Sequence, residues 1–369
     1  MSQQVAARIR EASRDHGPIT FAEFMEHALY GPGGFFEHPP VGADAHFVTS
    51  PHVHPFVFSH CLRTALLDHW AALGEPDPFP LLELGAGDGT LAEALRSAFD
   101  ELPFPSLGYL GVDVSPGARA GLGDRGFQAL ERLDDVPPFQ GAVLAHELLD
   151  NLPFRLLQGS ESRALEVRIG LDGEALAEVE VPWEPPTPGS AEWMLGPGER
   201  TTVPVGAFDL LDRLSGRLVR GYVLVIDYGR DGPAGGAHGY LRHREIADVL
   251  TDPGSTDVTA GVDLSLVASH AEARGLHSFG SVTQAAALDA LGYARWAEAM
   301  RETQSRLQRE GRDADAARIW QARSRASLLV DPEGLGAFRW LVLGTSGMPR
   351  PAWLDAARVE AGSGGPPSD

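Results

Sequence analysis

Eleven residues constrain this chain more than any others: Pro80-Leu81-Leu82-Glu83-Leu84-Gly85-Ala86-Gly87-Asp88-Gly89-Thr90. An apolar run ends in a carboxylate, three alternating glycines follow, and a helical spacing then begins at Leu91, Leu95 and Phe99. A backbone without Cβ atoms can turn sharply there and lie flat against a ligand. The strand–turn–helix order is that of a nucleotide-binding α/β unit. The spacing, however, is G-x-G-x-G with Thr at 90, where a dinucleotide fingerprint would read G-x-G-x-x-G. Glu83, just before the glycines, would repel a diphosphate and suits a cationic ligand with an amino-acid end.

S-adenosylmethionine (SAM) has that chemistry: a sulfonium, an α-amino group and an adenosine. The next apolar run, Gly108 to Val114, also carries an acid at its end, Asp113, 24 residues after Gly89. A carboxylate at the tip of the second strand can accept hydrogen bonds from both ribose hydroxyls. Glycine loop and strand-end acid together point to a SAM site.

Further along, the run Ala142 to Ala145 leads into His146-Glu147-Leu148-Leu149-Asp150-Asn151-Leu152-Pro153. Open α/β sheets bind ligands beyond the carboxyl ends of their strands. Glu147, Asp150 and Asn151 are therefore expected to face the methyl acceptor. Two carboxylates three residues apart can orient a guanidinium by paired hydrogen bonds. His146 is a candidate base, and capping is the ordinary role of Asp150 and Asn151. Leu133 and Asp134, before the fourth strand, are expected near the adenine. His46, His52, His54 and His60 complete no metal-ligand spacing, so no metal is expected.

The organisation is α/β. Residues 1–30 read as helical, with Thr20 and Glu23 spaced as a capping box. Residues 31–55 form a long Gly/Pro/His-rich loop of the kind that carries function, and 56–73 an amphipathic helix. Strands are expected near 80–84, 108–114, 125–130 and 141–145, in the βαβ rhythm of a parallel sheet. The rhythm breaks at 155–205, where 165–169 and 175–181 look like an antiparallel hairpin and 182–190 like a loop. A helix at 204–218 and a strand at 222–227 return to the sheet. Residues 229–262 read as loop with a short helix near 243–250. Helices at 263–274 and 283–328, a strand at 338–343 and an unstructured tail at 359–369 complete the chain.

With 43% hydrophobic residues the chain can build a large core. Its one cysteine, Cys61, lies in an apolar helical pattern and reads as a buried structural thiol. No signal-like start and no apolar run of about 18 residues is present, so a cytoplasmic protein without membrane contact is expected. The net charge is −21, and all 30 basic residues are arginine. That acidity argues against nonspecific nucleic-acid binding and is compatible with a cationic substrate. The apolar faces at 56–73 and 283–300 suit either a core or a homodimer interface.

Ordered blocks along nearly the whole chain resemble the MidA-type SAM-dependent methyltransferases, relatives of the mitochondrial complex I assembly factor with protein-arginine methyltransferase activity. They are Gly17-Pro18-Ile19-Thr20-Phe21-Ala22-Glu23-Phe24-Met25, Phe47-Val48-Thr49-Ser50-Pro51, Leu82-Glu83-Leu84-Gly85, Ala145 to Pro153, Asp227-Tyr228-Gly229, Asp252-Pro253-Gly254 and Asp257 to Asp263. The chain departs from the usual pattern in the glycine loop, in His52-Val53-His54-Pro55 and at His238. The resemblance implies a Rossmann-like class I methyltransferase fold. Its sheet would be seven-stranded and mostly parallel, with an inserted antiparallel and helical lobe and an N-terminal helical extension. It implies SAM as donor and, in the best-understood member, an arginine nitrogen as acceptor.

It further implies that Thr49, Ser50 and Pro51 lie near the donor. Glu83, Gly85, Ala86, Gly87, Asp113, Val114, Leu133, Asp134 and His146 would contact it as well. The expected units are 1–75 (helical region and active-site loop), 76–154 (SAM-binding core), 155–205 (inserted lobe), 206–345 (remaining core with a helical substrate side) and 346–369 (tail). The expected activity is methyl transfer to a protein acceptor. A small-molecule or peptide natural product is the alternative acceptor, and a SAM-binding assembly chaperone without catalysis is the alternative of another class.

Overall fold

The computed structural model describes residues 2–37, 49–161, 163–184, 195–241, 244–246 and 248–363. Helix α1 (Ser2–His16) opens the chain, and Thr20 caps the short helix Phe21–Met25 through the expected capping box: Glu23 N donates to Thr20 Oγ1 at 3.1 Å and Thr20 N to Glu23 Oε2 at 2.7 Å. A short helix, Ser50–Val53, precedes α2 (Pro55–Ala72). Then come β1 (Phe79–Leu84), α3 (Thr90–Asp100), β2 (Leu107–Val112), α4 (Pro116–Asp124), β3 (Gln128–Leu130) and β4 (Phe139–His146). After an antiparallel lobe the chain returns through α5 (Val205–Ser215) and β5 (Leu218–Asp227). It ends with α6 (Leu264–Ala273), β6 (Leu276–Thr283), α7 (Gln284–Ala290), α8 (Tyr293–Arg309), α9 (Asp313–Ala326), β7 (Arg339–Thr345) and α10 (Ala352–Ser363).

The central sheet has seven strands in the order β6-β7-β5-β4-β1-β2-β3. Strands β5, β4, β1, β2 and β3 pair in parallel, while β7 runs antiparallel to both β5 and β6, so the sheet is mixed. Its strands alternate side chains between two buried faces, as a sheet covered on both sides requires. Leu81, Ala142, Tyr222 and Trp340 meet α2, α3 and α7 on one face. Leu82, Val143, Val223 and Leu341 meet α5 and α6 on the other. The apolar sides of 56–73 and 283–300 that suited a homodimer enter this core: Phe58, Leu62 and Leu66 of α2 and Leu288 of α7 are at most 2% exposed. Cys61 is buried there too, and burial pushes its thiol up to about 12.

The lobe is an antiparallel sheet of Arg155–Gly159, Ala164–Asp172, Ala175–Pro182 and Arg200–Val203, and Ile19–Thr20 joins it from the N-terminal arm. Val5, Ile9, Phe21 and Phe24 of the arm pack on Phe154, Leu156, Val167 and Ile169 of the lobe. The buried Glu166 carboxylate is held by Arg155 and by Arg168, the latter at 2.9 Å.

Three expectations need correction. Residues 229–262 are not mainly loop, and the expected helix near 243–250 is absent among the described residues. Ala237–Leu241, Arg244–Ile246 and Asp257–Ala260 instead form a three-stranded antiparallel sheet, which satisfies backbone groups that loop-like Gly and His composition does not report. The stretch 283–328 is three helices broken at Gly292 (φ +113°) and Gly311 (φ +73°). Helix α10 runs into the expected tail, whose residues 364–369 lie outside the described residues.

Candidate active site

Strand β1 lies between β4 and β2, where the direction of strand progression reverses, and a cavity of about 790 Å³ opens at the carboxyl ends there. Gly85 (φ +67°), Gly87 (φ +54°) and Gly89 (φ +79°) all take the left-handed backbone that L side chains avoid. The loop leaves β1, exposes its backbone to the cavity and enters α3. Asp113 pins it from the end of β2: its Oδ2 accepts from Gly87 N at 2.9 Å and its Oδ1 from Ser115 N at 2.8 Å. Burial raises the Asp113 carboxyl, against these hydrogen bonds.

Glu83, Gly85, Ala86, Gly87, Asp113, Val114 and Leu133 all line the cavity, as do Thr49, Pro51, His146, Glu147 and Asn151. Three expected residues do not. Asp134 is paired with Arg132, Arg213 and Arg217 and is not part of the lining. Ser50 is fully buried behind the wall, where Gln284 Nε2 donates to its Oγ at 3.1 Å, and it meets the site through its backbone N, 3.4 Å from Glu147 Oε1. Asp150 also stands behind the wall, with a buried Oδ1 that has no hydrogen-bond partner among the described residues. Of the four histidines, His46 lies outside the described residues. His52 lines the cavity beside Asp88, 3.3 Å away; His54 caps α2; His60 pairs with Glu101. Among the described residues no group of three or more His, Cys, Asp or Glu is placed to hold a metal. His238 lies away from the cavity, against Glu245.

Acids outnumber the two arginines, Arg132 and Arg213, along the cavity wall. Burial pushes the Glu83 carboxyl up to about 8, although the Tyr109 hydroxyl donates to its Oε2 at 2.6 Å. Burial, with the nearby Asp227 charge, raises Glu147 to about 8 as well. Burial holds Asp257 near 7, against the Asn151 Nδ2 hydrogen bond at 2.9 Å. His146, buried beside Phe58, is pushed down to about 3 and is a neutral imidazole; its Nε2 lies 3.1 Å from Glu147 Oε1.

Reading the sequence missed Tyr30, Asp88, Tyr109, Asp227 and Asp257 as site residues. Asp227 had a signal: like Glu83 and Asp113 it is an acid at or near the end of an apolar strand, and the same rule that found those two would have found it. Tyr30, whose hydroxyl donates to Asn151 O at 3.0 Å, reaches the cavity only through tertiary packing and had none.

A family model described as "Putative S-adenosyl-L-methionine-dependent methyltransferase" matches residues 61–282, more than half of the chain. The chain belongs to this family. It is a SAM-dependent methyltransferase, and the resemblance drawn from its sequence blocks holds. The chain is 31% identical over 319 residues to the fruit-fly (Drosophila melanogaster) mitochondrial protein arginine methyltransferase NDUFAF7 homolog, covering 76% of this chain and 73% of that one. It is 28% identical over 313 residues to the human protein arginine methyltransferase NDUFAF7, covering 75% and 70%. A crystal structure from Burkholderia thailandensis bound to S-adenosyl-homocysteine superposes with a TM-score of 0.78 at 25% identity, covering 94% of this chain and 93% of that one. The curated relatives are named mitochondrial. That overturns the expected cytoplasmic placement, which rested on the want of a leader and of a spanning run; neither feature specifies a compartment. No helix among the described residues is long and apolar enough to cross a membrane.

Proposed function

We propose that the cavity seats the methyl donor across the glycine loop and serves an arginine guanidinium of a protein as acceptor, with Glu147 at the junction. The observation that carries this reading is the row of buried and half-buried carboxylates. Glu83, Asp113, Glu147 and Asp257 line the cavity, Asp150 and Asp227 stand behind it, and among the described residues no arginine forms an ion pair with any of the six carboxylates, Arg119 reaching Asp113 through its backbone oxygen. Burying such groups without a counter-charge is costly. Two cationic ligands, the donor and a guanidinium, would supply it.

At the donor end Glu83 keeps Oε1 free of protein partners among the described residues and faces the donor's positive charge. Asp113 accepts from the ribose hydroxyls, Gly85, Ala86 and Gly87 present backbone, and Val114 and Leu133 give apolar contact to the adenine. Thr49, Pro51 and the His146 ring close the wall over the donor. When bound, SAM supplies a methyl group already activated by a sulfonium, so alignment does most of the work. At the acceptor end the Glu147 carboxylate orients the guanidinium through charge-assisted hydrogen bonds and takes the N–H proton that the methylated nitrogen sheds. A carboxyl held near 8 is poised for that near neutral pH. Asn151 and Asp257 contact the same group from the far side. In this reading 76–154 is the donor-binding unit, and residues 1–75, the lobe 155–205 and 206–345 shape the acceptor side. The relatives' names, protein arginine methyltransferases, support a protein acceptor.

The test uses SAM with a labelled methyl group, the purified protein and lysate from its source cells, fractionated after reaction. Label released from the protein fraction as methylated arginine is the expected result. Label confined to small molecules would reject the protein acceptor in favour of a metabolite or peptide product.

A further inference from the structure

Glu147 is one of three non-glycine residues with positive φ among the described residues, at +50°. A side chain in the left-handed region is strained, and such strain persists only where the surroundings over-determine it. The backbone of the turn that carries Glu147 is gathered chiefly by one side chain. Asp227, fully buried at the end of β5, accepts from Leu148 N at 3.1 Å and Leu149 N at 2.7 Å through Oδ2, and from Tyr228 N at 2.8 Å through Oδ1; Asp150 N donates to it as well. The remaining anchor is the Glu147 amide itself, which donates to Ile226 O at 2.8 Å, one residue before Asp227. The two amides that follow Glu147 thus converge on one carboxylate oxygen, with the Asp150 amide directed toward the same carboxylate, which gathers residues 147–150 into a turn around itself.

Resting on the reading of Glu147 as the acceptor-facing carboxylate, we propose that Asp227 is a positioning residue that holds Glu147 in its left-handed conformation and so aims its carboxylate into the cavity. Backbone N–H groups stabilise a charged acceptor, so Asp227 carries the negative charge of the Asp227–Asp150 pair. Burial and that neighbouring charge leave Asp150 protonated, far above its ordinary range. Asp227 therefore acts on Glu147 twice, through the turn and through its field. The ionisable groups around the turn, among the described residues, include Glu147, Asp150, Asp257, Tyr30, Tyr228 and Tyr240 on the acceptor side, His146 on β4 and His52 from the loop.

The test compares Asp227→Asn, Glu147→Gln, Glu147→Gly and the double variant Asp227→Asn/Glu147→Gly in the full chain. An amide at 227 puts an NH2 against backbone donors. A misaimed group is expected to lower kcat about a hundredfold, with the Kd for S-adenosyl-homocysteine changed less than threefold (roughly 0.7 kcal/mol). Losing the Asp227 charge also favours ionised Glu147, so the acid limb of kcat/KM should move to lower pH; a merely structural defect would leave that limb in place. If Asp227→Asn folds poorly, the double variant decides. Glycine at 147 needs no hold on its φ, so it should recover a large part of the melting temperature lost with Asp227→Asn. No recovery, or a Glu147-dependent enzyme whose limb and kcat ignore Asp227→Asn, overturns the proposal. Full activity of Glu147→Gln would instead remove the acceptor reading, while the melting-temperature comparison would still decide whether Asp227 holds the turn.

Discussion

Tyr109 reaches Glu83 from the neighbouring strand β2, and its hydroxyl is the one hydrogen bond that carboxylate receives among the described residues. A hydrogen bond to a charged group is worth about 1.5–3 kcal/mol. Tyr109→Phe should therefore weaken SAM binding roughly tenfold by making ionised Glu83 harder to hold, and Glu83→Gln should weaken it further. Calorimetry measures both. The same carboxyl, near 8 in the free protein, must lose its proton to meet a cation. SAM binding at pH 7 should release close to one proton from Glu83, seen as a dependence of the binding heat on buffer ionisation enthalpy. The release should vanish in Glu83→Gln. An unchanged heat in both proteins would mean Glu83 does not face the positive charge.

Between β1 and α3, glycines do two different things. A Cβ built on Gly85 would lie 2.8 Å from Leu148 Cδ1, whereas one on Gly87 meets no protein atom within 4 Å and would stand in the open cavity. Gly85→Ala should cost about 1–2 kcal/mol of stability from φ alone and more from Leu148. Gly87→Ala carries similar strain but should also lower SAM affinity, because its methyl occupies ligand space. Urea unfolding and calorimetry separate the two effects. This loop, β1 and β2 were legible in the sequence because apolar runs ending in acids and alternating glycines are local signals. Thr20 and Glu23 were legible for the same reason. The sheet Ala237–Leu241, Arg244–Ile246 and Asp257–Ala260 was not, since its pairing partners lie up to 23 residues apart in Gly-rich chain that shows no period of two. The lobe was read as an insertion, but nothing local foretold that Ile19–Thr20 would add to its sheet. Among site residues, Glu83, Asp113 and Glu147 announced themselves as acids at or just beyond strand ends, while Tyr30 and Tyr109 depend on contacts 121 and 26 residues away.

Taken over the whole molecule, the buried ionisable groups set opposite pH dependences. Glu83 and Glu147 are raised from 4.5 to about 8, so the folded protein binds more protons than the unfolded chain in that window, and stability falls as pH rises through it. His69, stacked on Tyr222 with both ring nitrogens unpartnered among the described residues, and His146 are lowered from 6.5 to about 3. Each must be neutral in the fold, so stability also falls as pH drops below about 6.5. Their opposite slopes cancel where the windows overlap, so the melting temperature of the free protein should hold a plateau between about pH 4.5 and 6.5 and decline on both sides. A saturating cation-bearing donor should flatten the alkaline side by keeping Glu83 ionised at no cost, so the thermal shift from SAM should be larger at pH 8 than at pH 6. Equal shifts at both pH values would argue against a charge contact.

The pairing of Ile19 with Ile169 has a consequence in time. A ribosome adds about 5–20 residues per second, so the partner strand emerges roughly ten to thirty seconds after the arm. Until then Val5, Ile9, Phe21 and Phe24, all fully buried in the finished protein, have no lobe to cover them. The nascent chain therefore displays an apolar helical arm throughout the synthesis of its donor-binding half, which makes that arm the segment a ribosome-bound chaperone should hold first and release once the lobe has emerged.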